Sequence, residues 1–222
     1  MTDKNRFMLK YGSDKHVNKL ATSEHDDDRV MVARHRPEFH DKLKHDSSNY
    51  VKAAVADYSR DKSVLDHFVK HDFDHAKIMH NVARHGRKDH LDKLTDHPDP
   101  YVRETVAERG SKEHHDKLVN DSASMVRKSV AEHGSKEHLD KLVHDENNDV
   151  KHAVAEHGDD DHHKILMHDP DWSIRRKVAF STDNHSILKH LVNDEQDSVK
   201  NEAKRKLKQR LEDETLEKEL KK

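Results

Sequence analysis

The sequence contains no cysteine, which excludes disulfides and thiolate metal sites. Aromatic residues make up only 5%, with one tryptophan, so a platform for stacking nucleic-acid bases is poorly supplied. Neither sign of charge dominates. Lysine and arginine total 42 against 45 acidic residues, a formal net charge of −3, which leaves no electrostatic footprint for nucleic acid or an anionic membrane. No apolar run approaches the roughly 18 residues a membrane helix needs. The opening stretch MTDKNRFMLKYGSDKH has no apolar core of the signal-peptide kind. A soluble, cytoplasmic protein is the expectation. Apolar residues are themselves scarce, 31% against 39% charged, with a mean hydropathy of −1.22. Those values approach the region where a chain cannot bury enough apolar surface to offset its conformational entropy. Only regular patterning separates such a chain from disorder.

That patterning is present. Residues 134–158 read GSKEHLDKLVHDENNDVKHAVAEHG, residues 110–134 GSKEHHDKLVNDSASMVRKSVAEHG and residues 86–110 GRKDHLDKLTDHPDPYVRETVAERG. A leucine recurs at Leu20, Leu43, Leu94, Leu118 and Leu142, with counterparts at Leu166 and Leu191 and an irregular copy near Phe68. Eight residues after most of these stands a β-branched residue: Val51, Val102, Val126, Val150, Ile174 or Val199. Ile78 takes that place in the irregular copy, and Asp28 breaks the rule in the first. Leu139, Leu142 and Val143 form one helical stripe, and Val150, Ala153 and Val154 a second. Neither stripe sustains an isolated helix of this length. Stacking successive hairpins buries both, and a core one or two side chains deep accounts for the low apolar content.

The five glycines, Gly12, Gly86, Gly110, Gly134 and Gly158, share one column after the VAEH segment, where a left-handed residue would end the second helix. His85, Arg109, His133 and His157 precede four of them, as cations facing a helix C-terminus. Asp46, Asp121, Asp145, Asp169 and Asp194 fall between the two helices, placed to cap the second. Pro98, Pro100 and Pro170 lie in the same segment, which suits a helix start.

The spacing D-x5-[RK] with V-[RK]-x2-V-A resembles HEAT-like repeats, and the 24-residue period is similar to the leucine-rich repeat variant. The resemblance covers roughly residues 12–205. It implies a right-handed α-solenoid of about eight helical hairpins, and a ladder of acid–base pairs joining neighbouring repeats. The matching pairs are Asp46/Lys52, Asp121/Arg127, Asp145/Lys151, Asp169/Arg175 and Asp194/Lys200. Ser23/Arg29, His97/Arg103 and Met79 depart from the pattern and bring the ladder into question in the first copy and the irregular third. The variant family is known for an iron–sulphur cluster held by cysteines, which this chain lacks; no cofactor is expected. The His- and Asp-rich repeats also look like those of uncharacterised tailed-phage proteins, for which the location would be host cytoplasm.

Twenty-four histidines fall mostly in repeat columns. His16, His90, His114, His138 and His162 stand four residues before the leucine, and His45, His144 and His168 precede the inter-helix aspartate; caps and polar edges are the reading. The best metal candidate, His67, His71 and His75 at i, i+4, i+8, has a loop expected within it, and no metal site is assigned. The basic column Arg29, Lys52, Arg103, Arg127, Lys151, Arg175 and Lys200 has aspartate partners at fixed spacing, which favours an internal ladder over a nucleic-acid groove. Ser111 and Ser135 repeat as N-caps, and no catalytic residue is singled out. The exposed pairs Asp41/Lys42, Asp92/Lys93, Asp116/Lys117 and Asp140/Lys141 on the first helix form a striped charged surface for a protein partner.

Residues 1–205 are therefore expected to form one solenoid domain, with its defect near residues 59–77. Residues 206–222 continue the last repeat as a charged helix of a stretch running from 198, roughly 36 Å long at 1.5 Å per residue. The expected function is a non-enzymatic protein–protein scaffold. Nucleic-acid binding or base modification on a HEAT-like frame, or a part in virion assembly, are the alternatives.

Overall fold

The computed structural model describes the backbone of residues 13–220 and the side chains of residues 13–212. Among the described residues there are sixteen α-helices, one 3-10 turn and no strand. They alternate as first and second helices of eight hairpins. The first helices are α1 (Asp14–Ala21), α3 (His40–Leu43, entered through the turn Pro37–Phe39), α5 (Lys62–His71), α7 (Lys88–Leu94), α9 (Lys112–Leu118), α11 (Lys136–Leu142), α13 (Asp160–Leu166) and α15 (His185–Leu191). The second helices are α2 (Asp26–His35), α4 (Asn49–Tyr58), α6 (Ala76–His85), α8 (Pro100–Arg109), α10 (Ser124–His133), α12 (Asn148–His157), α14 (Trp172–Ser181) and α16 (Asp197–Leu220).

Contacts divide the chain into two compact units, one ending at His114 and the other beginning at His115. In the first unit α2, α4, α6 and α8 pack side by side in sequence order; in the second α10, α12, α14 and α16 do the same. The first helices pack both on their own second helix and on that of the preceding hairpin. Each unit is thus a tight row of second helices faced by first helices that, α5 apart, are shorter.

The core follows the repeat columns. Val51, Val102, Val126, Val150, Ile174 and Val199 are fully buried, as are Val154 and Ala155 beside them on α12. Leu139, Leu142 and Val143 meet them from the first helix. The irregular third hairpin differs in one respect: α5 has ten residues where α7, α9, α11, α13 and α15 have seven.

The glycine column serves a purpose other than a left-handed turn. Gly86, Gly110, Gly134 and Gly158 have φ of −69°, −71°, −79° and −77°, and no described residue has a positive φ. Space is the reason for glycine. A Cβ on Gly134 would stand 2.5 Å from the Val130 carbonyl oxygen and 3.1 Å from the His138 Cβ, and the other three sites are as crowded. Gly12 lies outside the described residues.

The C-terminal helix α16 runs unbroken through 205/206. Val199 and Ala203 are buried where it packs on α14 and α15. Lys206 Nζ and Arg210 reach Asp183 Oδ1 at 3.3 and 3.1 Å, so its capping contacts extend past the expected boundary.

Candidate functional site

The basic column forms a ladder, but with different partners from those the six-residue spacing suggests. Arg127 Nε and Nη2 donate to Asp145 Oδ2 and Oδ1 at 2.7 and 2.8 Å. Arg29 holds Asp46 and Arg175 holds Asp194 in the same forked way. Lys151 donates to Asp169 at 2.7 Å, and Lys52 to Asp72. Each of these five cations therefore bonds the carboxylate of the following repeat. Toward its own repeat the arginine offers Nη1 to a backbone carbonyl six residues back: Ser23, His97, Asp121 or Asp169. That is why Ser23, with no carboxylate, does not interrupt the ladder. Lys200, on the long helix α16, pairs with Asp197 instead.

The carboxylates are double-duty. The aspartates do not occupy the N-cap; they lie two residues before it and accept the N-cap residue's N–H. Ser48, Ala123, Asn147 and Asp171 donate to Asp46, Asp121, Asp145 and Asp169 at 2.8–2.9 Å. True caps such as Asp99, Asn147 and Asp171 follow. Bonding to Asp145 and Asp194 raises the Arg127 and Arg175 guanidinium pKa. Burial pushes the Asp145 carboxyl up, but Arg127, the Asn147 N–H and Lys151 together outweigh it and the net direction is down; the Asp194 carboxyl is held down by Arg175.

Met79 and His97, which look like two separate departures in sequence, occupy one rung. Without a base at Met79, the Phe73 carbonyl would lose its donor; His97 Nε2 supplies it at 2.9 Å. His97 Nδ1 accepts from the Asp99 N–H at 3.1 Å, as the aspartates do elsewhere. The rung is rebuilt with hydrogen bonds in place of an ion pair.

A second row joins the first helices and has no counterpart in the sequence reading. His90, His114, His138 and His162 are almost completely buried. Each Nδ1 accepts the backbone N–H three residues earlier, from Arg87, Ser111, Ser135 and Asp159 at 2.9–3.1 Å. Each Nε2 faces an aspartate of the preceding repeat: Asp66, Asp92, Asp116 and Asp140 at 3.4, 3.1, 3.0 and 3.1 Å. Only His138 meets its carboxylate with full hydrogen-bond geometry; the other three Nε2 atoms lie off the line. His162 has a carboxylate on either side, since Asp159 Oδ1 lies 2.7 Å from Nδ1. Burial lowers the pKa of His90. The glycine column and this histidine row are one device, because the imidazole lies where the glycine's side chain would be.

Of the expected partner surface, Asp41, Lys42, Asp92, Lys93, Asp116, Lys117, Asp140 and Lys141 are all exposed. Asp92, Asp116 and Asp140 are the carboxylates facing the buried histidines, and Asp41 pairs with Lys44. Of the residues before the glycines, Arg109 and His85 reach back one repeat, to the Ala83 carbonyl and to Asp57. His133 bonds the Ser129 carbonyl.

Ser111 and Ser135 Oγ lie 3.0 Å from His114 and His138 Nδ1, so in two successive repeats an imidazole has a serine beside one nitrogen and an aspartate beside the other. The imidazoles are buried, their Nδ1 lone pairs already accept a backbone N–H, and the hydroxyls bond Glu113 and Glu137. This is the wiring of a cap. Asp66, Asp89 and His90 also converge, but Lys62 Nζ sits 2.7 Å from both carboxylates and the cluster holds its own cation.

Exposed aromatic side chains gather on the second helices: Tyr50 and Tyr101 in the first unit, Trp172 and Phe180 in the second. Tyr50 and Tyr58 border an open cleft of about 460 Å³ across α2, α4 and α6, with Arg34, Asp57 and Arg84 at its rim. Tyr101 borders one of about 300 Å³ between α6 and α8. Trp172 and Phe180 border one of about 320 Å³ with His152, Arg176, Lys177 and Glu202. Tyr50 and Tyr101 share the column before the buried valine, but Trp172 and Phe180 stand in two others, so the sequence shows these aromatics and not their grouping.

No family model matches the chain, and no curated protein does. A solved structure described as "a leucine-rich repeat variant with a novel repetitive protein structural motif" superposes with a TM-score of 0.72 at 22% identity. It covers 82% of this chain and 77% of its own. The fold is an array of helical repeats. At that identity the likeness speaks to architecture, and it does not bear on a phage origin. No helix among the described residues is long and apolar enough to cross a membrane.

Proposed function

We propose that the chain is a non-enzymatic scaffold that takes a protein segment on the exposed face of its second helices. The observation that carries this reading is the set of open clefts bordered by Tyr50, Tyr101, Trp172 and Phe180. Aromatic anchors with a mixed-charge rim are what protein interfaces use most. The Asp–Lys stripe on the first helices is the weaker face, because three of its aspartates already serve the histidine row. Nucleic acid is disfavoured by chemistry, since Arg29, Arg127 and Arg175 are buried and bonded to carboxylates and cannot reach phosphate.

The test compares wild type with Tyr50→Ala/Tyr101→Ala, Trp172→Ala/Phe180→Ala and Lys93→Glu/Lys117→Glu/Lys141→Glu variants. Partners captured from the native cell are identified, purified and titrated back. Loss of binding in the aromatic variants with unchanged helicity supports the second-helix face. Loss only in the lysine variant moves the site to the first helices. Saturable binding of duplex or single-stranded DNA near 150 mM salt, with no protein partner, overturns the scaffold reading.

A further inference from the structure

The extra turn of the first helix in the third hairpin builds something the regular repeats lack. Because α5 has ten residues, its last turn carries His71 one turn after His67, and the ladder acid moves to Asp72. His67 and His71 then lie on one face of one helix, with ring centroids 4.6 Å apart. The loop after α3 in the preceding repeat brings the His45 ring to 4.4 Å from His67. His75 is excluded: it is the N-cap of α6, across a turn, and its ring faces Asn49.

We propose that His45, His67 and His71 form a site for one divalent transition ion, zinc foremost, with water completing the shell. Two imidazoles on a tetrahedral zinc, bonded at about 2.0–2.1 Å, have ring centroids roughly 5 Å apart; the His45–His67 and His67–His71 spacings are near that, and the rings must turn to aim their nitrogens at one ion. His67 is half-buried and fixes the centre, while His45 and His71 are exposed and free to turn toward it. An all-imidazole set suits zinc, copper and nickel over magnesium or calcium. The nearby carboxylates are committed elsewhere, Asp72 to Lys52 and Asp41 to Lys44, so no anionic ligand is at hand and solvent takes the remaining position.

The molecule supplies its own control. His168 and His190 occupy the same two columns as His45 and His67, with centroids 4.8 Å apart. In that hairpin the position of a third imidazole is filled by Asp194, bonded to Arg175. Two ligands should bind far more weakly than three. Because the ion would tie the loop after α3 to α5, its binding should also stabilise the fold by mass action.

The experiment is calorimetric titration of the full, untagged chain with zinc chloride at pH 7.5, alongside thermal melts and the visible spectrum of the cobalt(II) form. The expected result is one site clearly tighter than all others, a raised melting temperature, and the intense cobalt bands of four-coordinate geometry. His45→Asn/His71→Asn, both exposed and so harmless to folding, should weaken that site about tenfold or more. His168→Asn/His190→Asn should leave it unchanged. Only multiple weak sites in the wild type, or a tight site that survives the first pair of substitutions or is lost with the second, would overturn the proposal.

Discussion

At the scale of single residues, the glycine column and the buried histidines are a steric and electronic unit. Gly134→Ala puts a methyl group 2.5 Å from the Val130 carbonyl oxygen and 3.1 Å from His138. The helix end or the imidazole must move, at a cost of about 1–3 kcal/mol. A lower urea midpoint with unchanged helicity is the expected outcome, and an unchanged midpoint would show that the loop yields freely. The histidines also set an acid limit. Burial lowers the His90 pKa, and burial likewise lowers those of His67, His80 and His85. The folded state thus binds fewer protons than the unfolded state below the ordinary histidine value of about 6.5. Stability is complete above that pH and falls as the solution is acidified through it. A second loss follows below the ordinary aspartate value, where carboxyls held down in the fold, such as Asp194, take up protons. Melts between pH 8 and pH 5 should show the first decline, and His90→Gln should flatten part of it.

Among elements, the strength of each joint lies in bonds between a second helix and the loop of the next repeat. Arg127 and Asp145 are both largely buried, so Arg127→Met alone leaves an unpaired carboxylate, at about 3–5 kcal/mol. The natural Met79–His97 rung shows a way out. In Arg127→Met/Asp145→His the imidazole should find the Asp121 carbonyl that Arg127 now holds, as His97 finds Phe73. Chemical denaturation should place the double variant above the single one; equal stability would mean that Met79 and His97 are not a transferable pair. This rung also shows where sequence reading stops. The hairpins, their stripes and the basic column are legible, because they recur at a fixed period and lie within one helix or turn. The ladder's partners are not, because a periodic sequence gives Arg127 the same kind of aspartate in its own repeat, Asp121, and in the next, Asp145. Only packing chooses between them. The histidine–aspartate row is hidden for the same reason, with His138 and Asp116 22 residues apart. So is the clustering of His45 with His67 across a repeat boundary.

For the whole molecule, a row of hairpins has an end that must be closed, since every repeat presents an apolar flank to its neighbour. In the second unit α16 closes it. Val199 and Ala203 are buried with Val178, Leu188 and Leu191 of the last hairpins, and Lys206 and Arg210 tie the helix to Asp183. Each aliphatic side chain fully withdrawn from water contributes about 1.5–3 kcal/mol, so the closure is worth more than any single rung. A chain ending at Glu212 keeps all of these contacts and should melt within about 1–2 °C of the full chain. A chain ending at Glu195 exposes the flank and should melt lower by about 5 °C or more, with new binding of a hydrophobic dye. Because stability in such arrays is close to a sum over neighbouring units, hydrogen exchange in the shorter chain should accelerate first in α14 and α15. Equal melting of the two truncations would mean that α16 is an appendage and that the last hairpin closes the row unaided.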